Sequence, residues 1–192
     1  SPHLGASTVE AQDRAGTDVA ASVLKALSGE FVADAVNVSA GHVGEEVAGW
    51  LDLARKLGLA AGKLLGQAPV AIEVEARGEL ANEDVSALGL SAVRGLFSGV
   101  VDEPVTFVNA MQIAHARGVD VDVRTQAESK GQRSSLVVMV IGADGSTSQL
   151  TGAITGIDGV EKIIRINARG VDMRATGRNL FFSYDDAPGA LG

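Results

Sequence analysis

The sequence contains no cysteine. That removes disulfides, thiolate metal sites and cysteine nucleophiles from consideration. No Gly-x-Gly-x-x-Gly follows a strand-like run, so there is no dinucleotide cradle. No apolar run approaches the roughly 20 residues that a membrane span requires. The first residues lack the basic-then-apolar order of a secretion signal. Basic residues are outnumbered, with 16 Lys and Arg against 24 Asp and Glu and a formal net charge of −8. Non-specific nucleic-acid binding needs the opposite balance. A soluble cytoplasmic protein is the expectation, and 192 residues allow one or two domains with a sizeable core.

Several residue types that could carry chemistry lack the partners it needs. Ser134 and Ser135 have no nearby histidine base, so no nucleophile is implied. The run Gly58-Leu59-Ala60-Ala61-Gly62-Lys63 has the wrong glycine spacing for a phosphate loop, and Leu64 stands where Ser or Thr would hold Mg²⁺. His42 beside Glu45 and Glu46 hints at a metal, but one histidine at a helix start is ordinarily just exposed. His115, near a helix end, complements the helix dipole and needs no other role.

The hydrophobic pattern divides the chain. Residues 7–28 read as a helix capped by Ser7 or Thr8 and followed by Gly29, with Ala15, Val19, Val23 and Leu27 forming one stripe. Residues 30–42 read as a connection and the main domain boundary. A second helix is expected over about 43–66, and a strand from Val70 to Ala76. A third helix is capped by Asn82 or Asp84, and a fourth starts at Pro104 and ends near Gly118. Short strands follow at Val119–Arg124, Leu136–Ile141 and Ser148–Ile154, the last two joined by an Asp144-Gly145 turn. A further pair, about 160–167 and 171–176, is joined at Ala168-Arg169-Gly170, and a last strand runs from Asn179 to Tyr184. Helices on one face of a mainly antiparallel sheet make the expected fold α+β, preceded by an orphan helix.

One charged cluster stands out. Lys162, Arg165, Arg169, Arg174 and Arg178 fall within one hairpin and its exit, with only Glu161 and Asp172 interleaved. Two readings are open. One is a solvated strand face with cross-strand pairs, for instance Arg165 with Asp172. The other is an anion site, because Arg and Lys converging from two strands suit a phosphate or carboxylate.

Ordered short motifs add a resemblance. Ser1-Pro2-His3-Leu4-Gly5-Ala6 resembles the catalytic-histidine segment of D-2-hydroxyacid dehydrogenases, and Tyr184-Asp185-Asp186-Ala187-Pro188-Gly189 resembles the first strand and turn of an ACT domain. Between them lie Val9-Glu10-Ala11-Gln12-Asp13-Arg14-Ala15-Gly16, Gly78-Glu79-Leu80, Arg94-Gly95-Leu96-Phe97-Ser98, Thr106-Phe107-Val108-Asn109-Ala110 and Arg124-Thr125-Gln126-Ala127-Glu128-Ser129. In this order they resemble the long-form D-3-phosphoglycerate dehydrogenases over nearly the whole chain.

The resemblance implies a parent enzyme that oxidises 3-phosphoglycerate to 3-phosphohydroxypyruvate with NAD in serine biosynthesis. It implies three parts: residues 1–36 from the end of the catalytic half, 37–177 as an intervening allosteric domain, and 178–192 as the start of a truncated ACT domain. His3 matches the acid that protonates the substrate carbonyl oxygen. Its upstream arginine and glutamate partners are not in this sequence, so the piece itself is expected to be inactive and to bind no NAD. Lys162 and Arg174 match the family's allosteric anion positions, with Arg165 and Arg169 beside them. The expected ligands are phosphate, sulfate or a substrate-like anion. Better-known members carry a histidine where this chain has Gly170. Tyr184 and Asp186 match part of a serine-effector site. A homo-oligomer is expected, with the 7–28 helix pairing with its copy in a second chain. The rival reading is a stand-alone, non-enzymatic anion-binding or oligomerisation module.

Overall fold

A computed structural model of the chain describes residues 8–32, 35, 43–129 and 131–182. Helix α1 (Val9–Leu27) starts where the Thr8 hydroxyl accepts a hydrogen bond from the Ala11 N–H at 3.2 Å. No residue of α1 is buried, so the expected orphan helix is present with its stripe in water.

The rest builds one core. Helices α2 (Glu45–Ala48) and α3 (Leu51–Leu65) replace the single helix expected over 43–66. The break falls at Gly49 and Trp50. Glycine is a poor helix former, and the turn there sends Trp50, only 5% exposed, into the core. Strand β1 (Pro69–Gly78) is followed by a 3-10 turn, Glu79–Asn82, and helix α4 (Ser86–Phe97). Asp84 accepts from both the backbone N–H and the hydroxyl of Ser86. Helix α5 spans only Ala110–Ala116. The expected start at Pro104 fails because Asn109 closes a side-chain turn first. Its amide oxygen accepts from Thr106 N at 2.7 Å, and its Nδ2 donates to the Pro104 carbonyl at 2.9 Å.

Strands β2 (Asp120–Gln126), β3 (Ser134–Gly142), β4 (Thr147–Thr155), β5 (Val160–Ile166) and β6 (Arg169–Arg174) complete one sheet in the order β2-β1-β3-β4-β5-β6. Only β1 and β2 pair in parallel, so the fold is α+β with a mainly antiparallel sheet. Helices α3 and α4 cover one face. Ile72, Val74, Leu136, Val138, Val140 and Leu150 point into that layer and are fully buried or nearly so. Period-two alternation sends their strand neighbours to the opposite, helix-free face.

Helices α3 and α4 touch at backbone distance. A Cβ on Gly58 would lie 2.0 Å from the Ala92 carbonyl oxygen, and one on Gly95 would lie 1.8 Å from that of Arg55. These glycines are packing residues. No strand forms over the described part of Asn179–Tyr184. Leu180 and Phe182 are exposed there, at 83% and 78%.

Candidate functional site

The basic cluster is placed by the β5–β6 hairpin. Its turn is Asn167-Ala168, not the expected Ala168-Arg169-Gly170. Asn167 takes φ +51°, a left-handed conformation asparagine tolerates, and its side-chain oxygen accepts from the Gln149 N–H at 2.8 Å. In the resulting register Ile163 faces Met173, both on the helix side, while Lys162 faces Arg174. Lys162 and Arg174 therefore stand side by side on the helix-free face.

Arg165 joins them on that face. A β-bulge between Ile163 and Arg165 brings it opposite Gly170, and its Nη1 lies 3.5 Å from the Ala168 carbonyl oxygen. Arg169 does not. It pairs with Ile166, on the helix side, and lines a cleft with Leu180, Phe181 and Phe182. The expected ion pair of Arg165 with Asp172 is also replaced. Asp172 instead holds Lys162, Oδ1 to Nζ 2.8 Å, with 73% of the aspartate side chain exposed. The site is thus a lysine and two arginines on an open sheet face, with one exposed carboxylate as counter-ion. A Cβ on Gly170 would meet nothing within 4 Å, so the face has room there for a side chain.

Other expected sites fall elsewhere. His3, His42, Tyr184 and Asp186 lie outside the described residues. Among the described residues no group of three potential metal ligands converges, and no helix is long and apolar enough to cross a membrane.

One arginine, Arg94, stands in a motif of the sequence that assigns it no role. Arg94 sits on α4, whose other residues are apolar or small apart from two serines. Its Nη2 donates to the Gly29 carbonyl at 2.8 Å, and its guanidinium lies 4.0 Å from the centre of the Phe107 ring. Phe31 meets the same ring edge-on at 5.2 Å. Burial, with Arg55 nearby, pulls the Arg94 pKa down. This arginine fastens the segment after α1 to the core. The sequence signals for it are its place in the Arg94-Gly95-Leu96-Phe97-Ser98 motif and a charge on a helix with no polar face.

Sheet, helix layer and open basic face define an α+β domain whose exposed chemistry is electrostatic. The family described as D-3-phosphoglycerate dehydrogenase intervening domain matches residues 46–167, and the chain belongs to that family. It is 56% identical over 191 residues to D-3-phosphoglycerate dehydrogenase of Mycobacterium bovis and 54% identical to that of Mycobacterium leprae. A more distant relative, the enzyme of the same name from Archaeoglobus fulgidus, is 28% identical over 193 residues. In each case the match covers 100% of this chain and 36% of the relative.

Proposed function

We propose that this chain is the regulatory, anion-sensing part of an NAD-dependent D-3-phosphoglycerate dehydrogenase. The parent would oxidise 3-phosphoglycerate in serine biosynthesis, and the intervening domain would report phosphate-bearing ligands to the rest of it. The observation that carries the reading is the cross-strand pair Lys162–Arg174, with Arg165 on the same face. A lysine supplies a point charge and an arginine a planar fork, which together suit a phosphate or carboxylate. The names of the relatives support the reaction. The dehydrogenase chemistry and the serine effector belong to the parent in this reading.

The Lys162–Asp172 contact makes the site weak in isolation, because an anion must displace Asp172 from the lysine. An exposed ion pair is worth about 0.2–1 kcal/mol, so the barrier is small. The test is a thermal-shift series in phosphate. Wild type should stabilise with concentration as RT ln(1 + [L]/Kd), and K162A/R174A should not. Asp172→Asn should tighten phosphate about 1.4- to 5-fold, the range set by that pair energy. Gly170→His should tighten it further at pH 6, where the imidazole carries charge. A double variant that shifts like wild type defeats the assignment.

A further inference from the structure

The helix-free face of the sheet has a charge pattern that its strand order makes legible. On β1 and β2 the outward residues are Glu73, Glu75, Asp120 and Asp122, against two guanidiniums, Arg77 and Arg124. On β5 and β6 they are Lys162, Arg165 and Arg174, against Asp172 alone. Between these halves β3 and β4 turn no charge outward. Val137 is 6% exposed and Ala153 fully buried there, and Met139 and Ile141 are half-buried. One end of the face is net acidic, the other net basic, and the middle is uncharged and partly apolar.

We propose that this face binds a second copy of the same chain, sheet against sheet. The occupant follows from charge complementarity and symmetry. Two identical faces meet about a two-fold axis lying between them. An axis across the strands would stack acidic on acidic. An axis parallel to the strands and over the β3–β4 boundary lays β2 over the partner's β6 and β1 over its β5. Each acidic end then meets a basic end, and the apolar middle meets itself. Sheets stacked with their strands roughly aligned pack about 10 Å apart. Five inter-strand spacings of about 4.8 Å and roughly seven residues at about 3.3 Å give a face of about 24 by 23 Å. That is near the small end of specific interfaces, so the dimer is reversible and salt-sensitive. The inference does not rest on the anion reading, because it uses both ends of the face.

The test is sedimentation velocity on the full 192-residue chain in low salt, with variants D120K/D122K and K162E/R174E. Wild type should dimerise with rising concentration and dissociate as salt screens the charges. Each variant alone should dimerise roughly tenfold or more weakly. An equimolar mixture of the two should regain the dimer, since each then offers the other its complement. Circular dichroism checks the fold, and the milder D120N/D122N should weaken the dimer in the same direction. Several outcomes overturn the proposal: a wild type that stays monomeric at its solubility limit, a dimer indifferent to both charge sets, a mixture that fails to recover, or a dimer lost on removing residues 1–30, which would place the interface on α1.

Discussion

Helices α1 and α3 carry the same kind of apolar stripe and have opposite fates. In α3 the residues Leu53, Ala54, Leu57 and Ala61 are completely buried. In α1 the equivalent Val19, Val23 and Leu27 are 62%, 50% and 80% exposed. The stripe states that a helix has a face to cover. It does not state whether the cover belongs to the same chain. What separates the two helices is the surface each one meets, and α3 meets a sheet on one side and α4 on the other.

The largest test of this contrast uses glycine. Gly58→Ala or Gly95→Ala drives a methyl into a backbone carbonyl that no rotamer change can relieve. Either should cost about 4 kcal/mol or more, beyond ordinary overpacking, read as a loss of denaturation midpoint. Next comes truncation of the stripes. Leu53→Ala should destabilise by roughly 3 kcal/mol, while Val23→Ala should move the same midpoint by less than about 0.5 kcal/mol. A large effect at Val23 would mean that α1 is covered in solution.

A smaller effect comes from charge. Lys56 on α3 bonds Asp52, Nζ to Oδ2 2.7 Å, and reaches Glu161 on β5. Burial would raise the Asp52 pKa, but Lys56 and Arg55 hold it below the usual carboxylate value. Burial would lower that of Lys56, but Asp52 and Glu161 hold it above the usual lysine value. The Asp52 contribution is complete above its unfolded pKa of about 3.9 and is lost as pH falls through the lower folded value. The Lys56 contribution is complete below about 10.4 and is lost as pH rises through the higher folded value. Lys56→Met should therefore cost stability, about 1 kcal/mol at neutral pH, and flatten both the acid and the alkaline limbs of a midpoint-versus-pH curve. In α1 the comparable pair, Arg14 and Asp18 at 3.9 Å, is exposed on both sides, so Arg14→Met should move the midpoint by less than about 0.5 kcal/mol.

The smallest effect has the opposite sign. A Cβ on Gly16 in α1 would meet nothing within 4 Å. Gly16→Ala should add helix content by circular dichroism, worth up to about 1 kcal/mol locally, without shifting the cooperative midpoint. The same substitution would thus cripple α3 and strengthen α1.

Much of the fold was legible. The alternation of Ile72, Val74 and Ala76 with Glu73, Glu75 and Arg77 predicted a half-buried strand, and β1 has that pattern. The alternation of Val121 and Val123 with charged residues gave β2 in the same way. Periodicity could not reveal Gly58 and Gly95 as contact points, because glycine reads as a blank in a hydrophobic pattern. It also could not place the hairpin turn, which depends on the backbone Asn167 adopts. That shift of one residue decides which face Arg169 occupies, so three of the four expected anion residues share a face and the fourth does not. Leu180, Phe181 and Phe182 suggested a strand by composition, but strand formation needs a partner edge, and these residues pair with none.

The distance of β1 from both of its neighbours sets an order of events for the nascent chain. The antiparallel run from β3 to β6 closes through short turns, whereas β1 meets β2 or β3 only after the chain has travelled from Gly78 through α4 and α5. Loop-closure entropy makes such contacts late. Until they form, both edges of β1 are bare, an invitation to strand addition from another molecule. Glu73, Glu75 and Arg77 line that strand on its outer face, so charges that later lie on a finished sheet serve first as a guard against aggregation.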